Sequence, residues 1–172
     1  SSEYPSVCSD GLFVHIVWQD NRDGNSEIYY KKSVNGGLNW GSDTRMTFNS
    51  SISFHPSVAA SNGYVNMVWQ DNSTGDYEIY SYYSTNNGQN WSSFQRLSNN
   101  TFLSEYPCIG RNANYVYCVW VDNRDGNKEI YCNHSINGGV SWYSESRITN
   151  NDGNFQFPSI TSSGPNFNVV WH

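Results

Sequence analysis

The chain has 172 residues and a formal net charge of −6, long enough for one domain with a sizeable core. It carries no basic stripe to displace phosphate counterions, which argues against a nucleic-acid partner, and no apolar run approaches the roughly 20 residues that would cross a bilayer. Tyr, Trp, Phe, Val, Ile, Ser, Asn and Gly dominate while helix formers are scarce, so the expected class is all-β. The first residues lack the charged and apolar regions of a signal peptide, so the sequence reads as mature or as a fragment.

In chain order, Tyr4-Pro5-Ser6-Val7 opens a short extended segment, and Leu12 to Trp18 is strongly β-prone. A turn at Asn21 to Asn25 leads to a strand from Glu27 to Ser33, then a Gly-rich turn at Asn35-Gly36-Gly37 and a last strand from Trp40 to Thr47. The same four-strand meander recurs with Tyr64 to Trp69 and Tyr115 to Trp120 as second strands and Glu78 to Ser84 and Glu129 to Ser135 as third strands. The fourth strands carry Arg45-Met46-Thr47, Arg96-Leu97-Ser98 and Arg147-Ile148-Thr149. A final hairpin is expected from Phe157 to Trp171.

The spacing behind this pattern is strict. Trp18, Trp69, Trp120 and Trp171 lie 51 residues apart, as do Pro5, Pro56, Pro107 and Pro158, and Trp40, Trp91 and Trp142. A fixed period of this length means a supersecondary unit that stacks on its own copies. Four antiparallel strands per unit is the measure of a β-propeller blade. The expected architecture is a partial propeller over residues 1–172, with blades at 1–51, 52–102 and 103–153 and half a blade at 154–172. Closed rings take about four to eight blades, so the remainder is expected from further chain or from another copy, in a ring or a filament.

Ser33-Val34-Asn35-Gly36-Gly37-Leu38-Asn39-Trp40 and its counterparts place Ser33, Asn35, Gly37 and Trp40 in register with Ser84, Asn86, Gly88 and Trp91, and with Ser135, Asn137, Gly139 and Trp142. These segments resemble the Asp-box, or BNR repeat, of sialidase-like propellers, whose pattern is Ser-x-Asp-x-Gly-x-x-Trp between the third and fourth strands of a blade. Asn stands where the box has Asp, and it can make the same side-chain-to-backbone turn bonds. The resemblance implies a structural role for these twelve residues. Asp-boxes occur in sialidases, other glycosidases, receptors, lectin-like and structural proteins, so the fold does not select among these functions.

Asp20, Asp71 and Asp122, with Glu27, Glu78 and Glu129, recur at one phase and so point in symmetry-related directions, whereas a glycosidase site needs different residues converging on one bond. Arg45, Arg96 and Arg147 are likewise in register, and the arginine triad that the sialidase resemblance would imply is not visible. No catalytic residue is assigned. The oxygen-rich loops make Asp20, Asp23, Asp122 and Asp125 weak calcium candidates, although Arg22 and Arg124 fall where a cation loop wants oxygen and an Asp-Gly turn explains the loops as well. His15, His55, His134 and His172 show no metal spacing. Asn49, Asn72, Asn90, Asn99 and Asn133 head Asn-x-Ser/Thr sequons and hint at an extracellular or cell-surface setting. Cys118 and Cys132 are symmetric about Asp125-Gly126 and so suit a cross-strand disulfide, with Cys108 as the competing partner of Cys118.

The function expected is a non-catalytic, extracellular structural or adhesive repeat module completed by self-assembly or by further chain. The alternatives are a carbohydrate-binding propeller lectin and a fragment of a sialidase-like glycosidase. No cofactor is expected beyond weak calcium, and glycans are candidate partners. A lectin should show pockets repeated from blade to blade; an enzyme should show one pocket that breaks the repeat.

Overall fold

A computed structural model describes residues 1–150, 153–163 and 166–172. Its first sheet has the order β1-β2-β3-β4, built from β1 (Ser2–Asp10), β2 (Phe13–Asp20), β3 (Glu27–Ser33) and β4 (Thr44–Arg45). The second runs β5 (Ser53–Ser61), β6 (Tyr64–Asp71), β7 (Glu78–Ser84) and β8 (Gln95–Arg96), and the third β9 (Ser104–Asn112), β10 (Tyr115–Asp122), β11 (Glu129–Ser135) and β12 (Ser146–Arg147). All pairings are antiparallel. A two-stranded sheet of β13 (Ser159–Ser163) and β14 (Asn166–Val170) follows, with the turn of this half blade outside the described residues.

The core lies at the seams between sheets. Val17, Ile28, Tyr30 and Met46 of the first blade pack against Val58, Val65, Met67 and Trp69 of the second. Val68, Ile79 and Leu97 pack against Ile109, Val116, Cys118 and Trp120 of the third. Neighbours on both sides explain why β6 is buried at nearly every position while β2, at the end of the stack, alternates. Along each seam a polar side chain of one blade secures the next: Gln19 Oε1 accepts from His55 N at 3.1 Å, and Gln70 Oε1 from Tyr106 N at 2.8 Å.

Strand lengths depart from the expectation most at the first and fourth strands, while the second strands run two residues further, to Asp20, Asp71 and Asp122. The first strand is longer, reaching Ser2 to Asp10, because a bulge between Glu3 and Ser6 absorbs Tyr4-Pro5 without ending the ladder. The fourth strand is only two residues. Gly41 N donates to Lys32 O at 2.9 Å and Met46 N to Ile28 O at 2.7 Å, and the chain between bows away from β3 apart from the short β4 ladder, as short edge strands do.

The expected disulfide is not formed, and the register explains why. Cys118 stands opposite Asn133 and Ile109, whereas Cys132 and Cys108 both stand opposite Val119. One residue of offset puts Cys118 on the other face of the sheet from Cys108 and Cys132. Cys8, Cys108, Cys118 and Cys132 are all free thiols. Burial pushes the Cys132 thiol up to about 11 and Cys8, with help from Asp10, up to about 12.

Candidate functional site

The acids and arginines that recur with the blade hold their own blades. Arg45, Arg96 and Arg147 each donate through Nη2 to a fully buried carboxylate, Glu27 at 2.8 Å, Glu78 at 2.6 Å and Glu129 at 2.7 Å. Each also donates through Nε to the carbonyl two residues on, at Thr47, Ser98 and Thr149, which ties the chain after the short edge strand to the third strand. Asp20, Asp71 and Asp122 accept from the first strand, at Ser2, Ser53 and Ser104, and from the backbone N–H two residues on. The Arg22 side chain holds the Asp20 carboxyl well below the usual carboxylate range. At Asp122 burial works against ionisation, but the bonds from Arg124 and Trp120 outweigh it and the pKa is lowered.

The three Ser-x-Asn-x-Gly turns are wired alike. Ser33 Oγ accepts from Asn35 N at 3.3 Å and from Gly37 N at 2.9 Å, while Asn35 Oδ1 accepts from Ser33 Oγ at 2.9 Å and from Asn39 N at 2.8 Å. Ser84-Asn86-Gly88 and Ser135-Asn137-Gly139 repeat these bonds. In all three turns the Asn oxygen makes the bonds to the first serine and the backbone, and in the third Asn137 Nδ2 also donates to Ser141 Oγ at 2.8 Å. Trp91 packs edge-on to Tyr30 across the seam at 5.1 Å, and Trp142 lies against the second core cluster, while Trp40 is exposed.

The weak calcium candidates do not converge. Asp20 and Asp122 face Arg22 and Arg124, whose guanidinium groups take the place of a cation. Asp23 and Asp125 accept the hydroxyls of Tyr29 and Tyr131 and face Arg45 and Arg147. Among the described residues no cluster of three or more His, Cys, Asp or Glu could hold a metal ion. Of the sequon residues, Asn90 and Asn99 are exposed. Asn49 is committed to Asp71 and Ser51, and Asn72 accepts from Ile52 N. Asn133 is a correction: its place in the middle of β11 buries it, closing it to glycosylation in the folded protein.

Two places gather aromatic chemistry. The first lies where the first strands of successive blades come side by side. Tyr4, His55, Tyr106 and Phe157 each precede a proline, the first three on a bulge, and each adopt a left-handed backbone, with φ of 50°, 50°, 55° and 47°. Such a conformation costs a bulky residue about 1–3 kcal/mol and persists only where the surroundings enforce it. Their rings form a ladder with centroid separations of 4.3, 4.7 and 4.8 Å, flooring a shallow cavity of about 260 Å³. Burial lowers the pKa of His55, favouring its uncharged ring. Burial and then Glu105 raise that of Tyr106, the wrong direction for a phenolate nucleophile. His55, out of register with the other histidines, is in register with the other three rings. An aromatic before Pro5, Pro56, Pro107 and Pro158 was the legible signal; the left-handed turn toward one floor was not.

The second place is a pocket of about 310 Å³ on the second blade, lined by Trp69, Asp71, Ser73, Tyr80, Tyr82 and Phe94 and bordered by Thr47, Phe48 and Asn49 of the first blade. Tyr82 and Tyr80 stack on Trp69 at 4.9 and 6.0 Å, and Phe94 meets Tyr80 edge-on at 5.8 Å.

No family model matches the chain, and no curated protein does. Solved structures do. A Trypanosoma rangeli sialidase mutant displaying trans-sialidase activity superposes with a TM-score of 0.67 at 14% identity, covering 99% of this chain and 34% of its own. The GH93 α-L-arabinofuranosidase of Fusarium graminearum in complex with arabinobiose gives 0.67 at 12% identity, covering 98% and 57%. The subtype N10 neuraminidase-like protein of A/little yellow-shouldered bat/Guatemala/060/2010 gives 0.61 at 16% identity, covering 82% and 43%. The chain therefore spans about a third to three-fifths of the length of these structures. Its fold is that of a sialidase-like β-propeller. More narrowly, the described part is three four-stranded blades and the two-stranded start of a fourth.

Proposed function

We propose that this chain is a carbohydrate-recognising section of an extracellular sialidase-like propeller, with its Ser-x-Asn-x-Gly turns serving as Asp-boxes and the Tyr4-His55-Tyr106-Phe157 ladder as the floor on which a sugar ring rests. The ladder carries the reading. Four aromatic residues are held in a costly backbone conformation so that their rings form one surface, and aromatic faces suit the C–H faces of sugars. The resemblance to sialidase and arabinofuranosidase structures supports the same class of ligand. A purely structural or adhesive module would leave that strain without a purpose. Binding is favoured over bond cleavage because the buried carboxylates of this section are engaged within their own blades.

The test is ligand-observed NMR with methyl glycosides, arabino-oligosaccharides and sialyl-oligosaccharides, followed by fluorogenic glycoside assays. At least one sugar should bind, and Tyr106→Ala or Phe157→Ala should weaken it about tenfold or more. Binding untouched by both substitutions would overturn the ladder as the site. Hydrolysis abolished by a single Asp or Glu substitution in this section would overturn the non-catalytic part.

A further inference from the structure

The second-blade pocket occupies the place where the first and third blades carry a side chain of their own. In the first blade the Arg22 guanidinium lies 4.6 Å above the Tyr29 ring, donates to Asp20 at 2.6 Å and pairs with Asp43 at 2.8 Å. In the third, Arg124 lies 4.3 Å above Tyr131, donates to Asp122 at 2.6 Å and pairs with Glu145 at 2.6 Å. In the second blade the register positions of Arg22, Lys31 and Asp43 hold Ser73, Tyr82 and Phe94. The acid alone is kept: Asp71 sits 2% exposed at the base of the pocket, bonded to Ser53, Asn49 and the Ser73 N–H but to no cation. Arg96 of the same blade is held on buried Glu78, and Arg45 of the first blade on Glu27 with its face over Phe48.

The Trp69 indole N–H is left as well. Its counterparts Trp18 and Trp120 donate to Asp20 and Asp122 at 3.3 and 3.1 Å, but the Trp69 N–H is buried and unpartnered on the pocket wall. What remains is a ring to stack on, a buried carboxylate without a counter-ion and aromatic walls. A flat organic cation satisfies all three, since the carboxylate supplies charge and hydrogen-bond acceptance and the rings supply cation–π attraction.

We propose that this pocket is a binding site for a guanidinium group, supplied by an arginine side chain of a peptide or by a small guanidine, which takes the position that Arg22 and Arg124 fill in the neighbouring blades. It is separate from the aromatic ladder and does not depend on the glycan reading.

The test is calorimetric titration of the whole protein with N-acetyl-arginine amide, using N-acetyl-citrulline amide as the uncharged isostere. Arginine should bind, and citrulline at least tenfold more weakly. The double variant Ser73→Arg/Phe94→Glu rebuilds the internal pair found in the other two blades; it should fold with an unchanged or raised urea midpoint and lose arginine binding at least tenfold. Asp71→Asn should lose it too. A tripeptide containing arginine and methylguanidinium distinguish the sources: tighter binding of the tripeptide assigns the site to a protein side chain, and equal binding assigns it to small guanidines. Citrulline binding as well as arginine, arginine binding undiminished in the double variant, or a methyl glycoside displacing arginine from the pocket would each overturn the proposal.

Discussion

Replacing Gly88 by alanine should separate the cost of a strained turn from the cost of a broken seam. Gly88 has φ of +67°, and a Cβ there would overlap the Tyr30 hydroxyl and stand 2.8 Å from the Tyr30 ring carbon Cζ. Tyr30 belongs to the preceding blade, is buried, and its hydroxyl lies 2.7 Å from Nδ1 of His15, which is itself fully buried. The ring therefore has nowhere to swing. The left-handed backbone contributes about 1–2 kcal/mol of destabilisation, and overpacking with loss of the buried His15–Tyr30 bond adds about 2–4 kcal/mol. Gly36→Ala is the matched control: its φ is +68°, but a Cβ meets only Leu12 Cδ2 at 3.8 Å, so the backbone cost of about 1–2 kcal/mol should stand alone. Urea unfolding of both variants gives the two midpoints, and Gly88→Ala should fall well below Gly36→Ala. If the two fall equally, the contact across the seam does not couple the blades and the reasoning fails.

Acid should weaken the same seam. Burial, with Lys32 adding and Asp10 opposing, pushes the His15 pKa from 6.5 down to about 4. The unfolded chain then takes up the proton first, so this contribution is whole above pH 6.5 and is lost as pH falls from 6.5 toward about 4. In His15→Asn, which copies Asn66 of the second blade, the slope of urea midpoints between pH 7 and pH 4 should flatten, leaving the part that buried His55 contributes in the same direction; an unchanged slope would assign the acid sensitivity elsewhere. Asn86→Asp restores the residue of the Asp-box pattern while keeping the oxygen that accepts from Ser84 and Asn90. It should shift stability by less than about 0.5 kcal/mol, and a loss above about 1 kcal/mol would show that the turn depends on the neutral amide.

The period of 51 carried most of the fold in the sequence, because Pro5 and Trp18 with their copies mark the first and second strands, and Trp40 with its copies marks the end of the turn before the short fourth strand. Third strands at Glu27, Glu78 and Glu129 begin where the pattern places them. Register was less legible: the symmetry of Cys118 and Cys132 about Asp125-Gly126 was off by one residue, which in a sheet of period two reverses the face. The sites were legible only by inverting the emphasis on symmetry. The repeated acids and arginines drew attention but hold blades together, whereas the informative residues were Ser73 and Phe94, the positions where the second copy drops its charges. The ladder was hidden for a different reason, since a left-handed φ at Tyr106 or Phe157 leaves no mark in residue type.

The seams also bear on how such a chain can lengthen. Gly88 receives Tyr30, Gly139 receives Asn66, whose amide also donates to Gly138 O at 2.9 Å, and Val58 and Ile109 donate to Ser6 and Ser57 of the blade before. At both seams the earlier blade thus presents a polar knob to a glycine-lined recess of the next, so a tandem copy of the gene segment arrives already fitted to its parent. Growth by duplication needs no new interface, only tolerance of small exchanges such as His15 with Tyr30 for Asn66 with Ser81. Divergence is then free to act on surface positions, and the loss of one internal arginine is enough to turn a structural pair into a receptor.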